Sequence, residues 1–412
     1  MSTLTTEEAD AFRARCKAFL DEHATGVKFT GPDPRDEQSV AASRSFQKKL
    51  ADAGLAGLTY AKEYGGAGLT KDHDLIYREE YGKHSDMTGQ LVISHGMCLP
   101  MVAEYGSHEQ KARFLPRNIS GEDLWCQMFS EPGAGSDVAS LQTRAVRDGD
   151  EWIVNGQKVW TTLAHQCEYG ILIARTDPDQ PKHAGISMFI VDMKAPGVEI
   201  RPIHQIDGGQ HFNEVFFTDL RIPADWLIGD INNGWRLATA MLMYERVAIG
   251  TGSTSGINRP NSDRLIEEAR KRGVGGDLNV RQALAQLYSE ETARSLVSLQ
   301  TRAALKSGKT PGPGGSLGKL QGAKIARLTR SIHGSIFGMS LVAPDNDPKA
   351  ELWGHTMLSS FSSHIAGGTD EIQKNIIGDR VLGLPREPMV DKDQPFRDLK
   401  VGTQASAGSG PR

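Results

Sequence analysis

Three groups of residues in this chain have types and spacings that could do chemistry. The first is a carboxylate in apolar company. Trp235 to Ile249 (WRLATAMLMYERVAI) is apolar almost all round, as a buried helix is. Within it Leu237, Met241, Glu245 and Ala248 follow at steps of four, four and three, so Glu245 shares an apolar stripe. An ionised carboxylate on such a face is costly unless paired, and Arg246, one residue on, points elsewhere. Desolvation raises a carboxyl pKa, which suits a general base working near neutral pH. A structural glutamate paired with a distant arginine is the alternative. The second group is QMFSEPGAGSD from Gln127. An extended segment is stopped there by Pro132 and Gly133, and the glycines let the backbone approach a ligand closely. Met128 and Phe129 offer backbone amides and Ser130 a hydroxyl, although turn chemistry explains the same Pro, Gly and Ser equally well. The third is GQKVWTT from Gly156, which sets Trp160 late in a strand, where a tryptophan is more often a core aromatic.

The elements that must position these groups fall into three blocks. The first ~120 residues read as helical, with helices at Ser39 to Leu50, Asp72 to Lys83 and Leu99 to Tyr105 and another capped by Ser107. From Trp125 to about Pro223 the chain is strand-rich, and Asn155-Gly156 inside EWIVNGQKVWTT predicts two strands around a hairpin turn. Helical character resumes at Gly234, with helices at Val280 to Leu305, Leu320 to Phe337 and Ile372 to Leu382. KSGKTPGPGGSLGK between the first two of these reads as a flexible excursion. The expected division is an α+β chain with a helical domain over 1–123, a β domain over 124–226, a helical domain over 227–395 and a disordered tail over 396–412.

Several function classes are excluded by composition. The net charge of -4 gives no global pull on nucleic acid or anionic membranes. Cys16, Cys98, Cys126 and Cys167 form no C-x-x-C pair, so neither a disulfide framework nor a zinc site is suggested. The N-terminus has no apolar signal region, and no apolar run approaches the ~18 residues that span a bilayer. A cytoplasmic protein is the expectation. Gly318-Lys319 lacks the Ser or Thr of a P-loop, and GSTSG from Gly252 centres on Thr254 with no strand before it. No H-E-x-x-H occurs, and His95, His204 and His211 each stand alone, so no metal is expected.

QMFSEPGAGSD and GQKVWTT together resemble the two signature segments of the acyl-CoA dehydrogenase family, and AGGTDEIQKNIIGDRVLGLPR from Ala366 resembles a third. The resemblance covers about residues 5 to 395. It implies an N-terminal helical domain, a middle β-barrel, a C-terminal four-helix bundle and FAD as cofactor. It also implies conversion of an acyl-CoA to its trans-2-enoyl-CoA, with electrons passed to an electron-transfer flavoprotein. By resemblance Met128, Phe129 and Ser130 supply donors to the flavin, whose reduced form carries charge near N1. Trp160 packs against the isoalloxazine, and Thr162 bonds near N5. Ser136 meets the CoA arm, and Gly368 and Thr369 contact FAD at a helix start. Gln282 reaches the FAD of a neighbouring subunit, with Arg281 a candidate beside its pyrophosphate; solvated helix residues are the plain alternative for both.

Departures from the family pattern sharpen the question of the base. Many members carry the catalytic glutamate directly before Gly-Thr, where this chain has Gly367. A branch resembling the isovaleryl and long-chain enzymes places it before an arginine on a central helix, and Glu245-Arg246 matches that placement. Arg246 and Tyr244 are then candidates on the substrate side. GSIFGMS and ARKRGVGG stand where family members often have Q-x-x-G-G and R-x-x-F-G. Such departures occur in bacterial members acting on bulky acyl chains, some of them heterotetramers with a sister subunit rather than homotetramers or dimers of dimers. A flavin oxidase, a desulfinase and a non-catalytic partner subunit are the other readings.

Overall fold

The computed structural model describes residues 4–25, 37–84, 87–250, 261–306, 315–343, 347–388 and 392–399, with the backbone alone for 245–250, 301–302, 304–306, 348–349 and 351. The N-terminal part is helical: α1 (Thr6–His23), α2 (Glu37–Asp52), α3 (Lys71–Tyr81), α4 (Leu99–Tyr105) and α5 (His108–Ile119). Ser107 caps α5 as expected. Its Oγ accepts the Gln110 N–H at 3.2 Å, and Gln110 Oε1 accepts the Ser107 N–H at 3.1 Å. The Gln110 amide then donates to the carbonyls of Asp225 at 2.6 Å and Leu227 at 2.8 Å, which ties this domain to the far end of the next.

The middle domain is an eight-stranded sheet of β1 (Trp125–Met128), β2 (Arg144–Asp148), β3 (Glu151–Thr162), β4 (Tyr169–Arg175), β5 (Ile186–Asp192), β6 (Val198–Pro202), β7 (Phe212–Pro223) and β8 (Leu227–Ile228). The strands follow the order β6-β7-β3-β2-β4-β5-β8, with β1 parallel to β4. Among the described residues the end strands β6 and β8 are not paired to each other. β8 lies just past the boundary expected at 226.

Asn155-Gly156 is not a hairpin turn, contrary to the expectation from sequence. β3 runs through it as one strand paired with β7, with a register shift between Val154 and Gly156. The asparagine side chain is used across the sheet: Asn155 Nδ2 donates to Asp219 Oδ1 and the Asp219 N–H to Asn155 Oδ1, both at 2.9 Å. The turn of that hairpin falls instead at Gly149, whose φ is +57°. Gly156 is needed because Thr143 sits on it: a Cβ there would stand 2.4 Å from Thr143 Oγ1 and 2.6 Å from Thr143 Cα. Gly156→Ala is expected to cost about 1–3 kcal/mol by overpacking, read as a lowered urea midpoint; an unchanged midpoint would show that Thr143 yields freely.

The C-terminal part holds α6 (Gly234–Gly250), α7 (Asn261–Lys271), α8 (Leu278–Lys306), α9 (Gly315–Phe337), α10 (Pro348–Ser359) and α11 (Asp370–Ile376). α9 begins inside the segment read as a flexible excursion, of which 307–314 lie outside the described residues. α10 has no counterpart among the helices expected from sequence. Its signal was Asp347 before Pro348, a cap followed by a first-turn proline, and Asp347 Oδ1 accepts the Ala350 N–H at 3.2 Å. α6 joins one apolar core and touches α9 of the other. Leu237 and Met241 are part of the apolar core shared by the helical N-terminus and the sheet, whereas α7 to α10 close a separate core around Ile325, Ile332 and Trp353.

Residues 396–399, assigned from composition to a disordered tail, are docked on the sheet domain. Phe396 is 5% exposed and lies under the Arg175 guanidinium, 3.6 Å from its ring centre. The Phe396 N–H donates to Gln180 O at 2.9 Å and the Arg397 N–H to Pro178 O at 3.0 Å. One aromatic anchor among polar residues holds this segment, and an averaged composition does not register it. Residues 400–412 lie outside the described residues.

Candidate active site

The two motifs singled out in the sequence meet in space. β1 ends at Met128, and the chain leaves the sheet through Phe129 and Ser130 into a tight turn in which the N–H and C=O of Glu131 and Ala134 exchange hydrogen bonds at 3.0 Å. β3 passes beside this loop. The Val159 N–H donates to Ser130 O at 2.9 Å, and the fully buried Lys158 ammonium donates to Phe129 O at 3.0 Å and to Glu131 Oε1 at 2.8 Å. Glu131 also accepts the N–H groups of Gln142 at 2.6 Å and Thr143 at 2.9 Å. Burial works against both charges. Lys158 is pushed down by desolvation, while in Glu131 the desolvation is outweighed by Lys158 and the amide donors, which hold the carboxyl below its usual range.

Lys158 and Glu131 were missed from sequence, yet a signal existed. Along β3 the buried face runs Trp152, Val154 and then Lys158, so a lysine occupies an inward position of an alternating strand.

Immediately after Lys158 the β3–β7 register shifts again, and Trp160 takes a φ of +61°. Its indole is 58% exposed, packed edge-on against Phe212 at 5.8 Å between ring centres. The core-aromatic reading of Trp160 is therefore incorrect: the bulge turns the ring off the sheet. The half-buried hydroxyls of Ser130 and Thr162 bond to nothing among the described residues. A loop, a displayed indole and two unused hydroxyls thus share one junction.

The remaining candidates stand elsewhere. Ser136 is exposed beyond the turn, next to Gly135, which has open space around it. Gly367 and Gly368 have φ of +69° and +87°, and Thr369 caps α11 by accepting the Ile372 N–H at 3.3 Å. A Cβ on Gly368 would come 2.7 Å from Gln373 Nε2, and its positive φ is one that L side chains rarely adopt. Arg281 and Gln282 are exposed near the start of α8. Among the described residues no hydrogen bond joins the 128–130 and 158–162 junction to 281–282 or 367–369. Tyr244 is half-buried, and its hydroxyl donates to Glu104 of the N-terminal domain; burial and that carboxylate push the phenol pKa up. Glu245 and Arg246 lie on α6, but their side chains fall outside the described residues. Leu237 and Met241, earlier on the same stripe, are 1% and 0% exposed.

The models of the acyl-CoA dehydrogenase N-terminal, middle and C-terminal domains match residues 6–122, 126–220 and 232–382. This chain belongs to the acyl-CoA dehydrogenase family. It is 36% identical over 387 residues to the acyl-CoA dehydrogenase IpdE1 of Mycobacterium tuberculosis, covering 92% of this chain and 99% of that one. Among solved structures, the ChsE4-ChsE5 complex from Mycobacterium tuberculosis superposes with a TM-score of 0.72 at 29% identity, over 94% of this chain and all of the matched one. The Tcur3481-Tcur3483 steroid ACAD gives 0.73 at 27% identity, again over 94% of this chain. As a member of this family the chain is an oxidoreductase acting on CH–CH groups, with FAD as its cofactor. The donor set fits that cofactor: unpaired hydroxyls at Ser130 and Thr162, loop backbone at Met128 to Ser130, and an exposed indole that a flat ring can cover.

No helix among the described residues is long and apolar enough to cross a membrane.

Proposed function

We propose that the chain removes hydrogen from Cα and Cβ of a bulky, steroid-type acyl-CoA thioester, giving the trans-2-enoyl-CoA. The observation that carries this reading is the junction of the 128–130 loop with Trp160 and Thr162, welded by Lys158. Bound FAD supplies the hydride acceptor. The loop donors and the Thr162 hydroxyl orient its ring, Trp160 covers it, and Gly368 and Thr369 hold it from the C-terminal domain. Arg281 and Gln282, exposed in this chain, reach the FAD of a neighbouring subunit. Glu245 takes the α-proton, the placement of the isovaleryl and long-chain branch, and Arg246 flanks the substrate side. Ser136 meets the CoA arm. Tyr244, bonded to Glu104, secures α6 against the N-terminal domain beside the substrate path. Electrons leave to an electron-transfer flavoprotein.

A steroid-type substrate is supported by the naming of one structural relative as a steroid ACAD. Assembly with a sister subunit into a heterotetramer is supported by the relative solved as a ChsE4-ChsE5 complex, and by Leu296, Leu299 and Leu317, which α8 and α9 leave exposed. The test is to add a panel of acyl-CoA thioesters to the purified yellow protein and follow the flavin absorbance. Bleaching by steroid-type thioesters, with dye reduction and no matching oxygen uptake, is the expected result. No bleaching by any thioester, or oxygen uptake equal to turnover, sinks the dehydrogenase reading.

A further inference from the structure

Lys158 points its charge at a peptide rather than at solvent or substrate. Its ammonium is fully buried and donates to Phe129 O at 3.0 Å, while its counter-ion Glu131 is itself held by the amides of Gln142 and Thr143. No peptide among the described residues is cis, so the N–H of the unit that Lys158 grips, which belongs to Ser130, points opposite to the carbonyl. It faces away from the buried ammonium and donates to nothing among the described residues. A cation on the carbonyl oxygen withdraws electrons through the amide and strengthens that N–H as a donor. The next carbonyl, Ser130 O, is fixed by the Val159 N–H at 2.9 Å, so neither end of the residue can turn.

We propose that Lys158 is a positioning residue for the cofactor: it aims the Ser130 N–H at the flavin ring and strengthens it as a donor, so that reduced FAD is held more tightly than oxidised FAD. This rests on the assignment of the 128–130 loop to the flavin. Lys158→Met alone would strand Glu131, so the informative change is the double variant K158M/E131Q, which removes both charges together. A second pair, K158Q/E131Q, keeps an N–H donor for Phe129 O without the charge.

The full chain is loaded with FAD, near-UV circular dichroism checks the fold, and the FAD dissociation constant and midpoint potential are measured. In K158M/E131Q the dissociation constant is expected to rise about tenfold. The preference for reduced over oxidised FAD should also fall about tenfold, a drop of about 30 mV for a two-electron couple. K158Q/E131Q should recover affinity while its potential stays low. A folded K158M/E131Q protein with wild-type affinity and potential overturns the proposal. If that pair does not fold, a wild-type potential in K158Q/E131Q overturns it instead. A wild-type chain that takes up no FAD would refute the flavin assignment itself, a separate and earlier failure.

Discussion

Replacing Glu245 by glutamine is expected to lower acyl-CoA turnover by about 10²–10⁴-fold, the range a positioned general base contributes, while FAD remains bound. By the family resemblance, the position that many members use for the base is Gly367 here, and glycine carries no group that accepts a proton. Glu245 is the next step of four after Leu237 and Met241, both buried where α6 crosses the core shared by the helical and sheet domains. Desolvation on an apolar stripe raises the proton affinity of a carboxylate, which is what abstraction of a weakly acidic α-proton requires; the Glu245 side chain itself falls outside the described residues. Glutamine keeps the shape and loses the basicity, so substrate binding should change little and the rate of flavin bleaching should collapse. Stopped-flow absorbance measures this directly. Full-rate bleaching by a flavin-loaded E245Q protein would remove Glu245 from the mechanism.

The largest expected effect on stability is that of Lys158→Met. Breaking a buried pair by deleting one partner costs about 3–5 kcal/mol, because the remaining charge is left uncompensated. Glu131 is only 7% exposed, so water cannot take over. The pH dependence identifies the cause. In the wild type the Glu131 carboxyl is held below its usual range, so its contribution is complete above the unfolded-state pKa and is lost as pH falls through the lower folded value. In the variant, burial acts without a cation and the folded pKa rises above the unfolded one. Protonation then relieves the penalty. The gap in urea midpoint between the two proteins should be widest near neutral pH and narrow below about pH 4. A gap that is constant across that range would point to packing loss alone.

Much of the fold was legible because its signals are local. The Ser107–Gln110 cap, the buried stripe of α6 and the short apolar strands between Trp125 and Pro223 each declare themselves within a dozen residues. The motif residues at 127–137 and 156–162 were legible for the same reason. Errors arose where a local signal had a distant competitor. Asn155-Gly156 has the composition of a turn, but Asp219 of β7 engages the asparagine and Thr143 fills the space beside the glycine. Residues 396–399 have the composition of a tail, but Arg175 offers a buried cation for Phe396 to cover.

The sequence by itself determined the order of helical, sheet and helical parts and the family, and it puts Glu245 forward as the candidate base where Gly367 stands before Gly-Thr. Those follow from periodicity and from contiguous motifs, which need no knowledge of long-range contacts. Only the tertiary structure decided that Trp160 leaves the sheet at φ +61° instead of entering the core. Only it paired Lys158 with Glu131 and with the Phe129 carbonyl. Strand pattern shows that a lysine faces inward, but the cost of burying it must be met by a partner, and which partner depends on how the loop after β1 is brought back against β3.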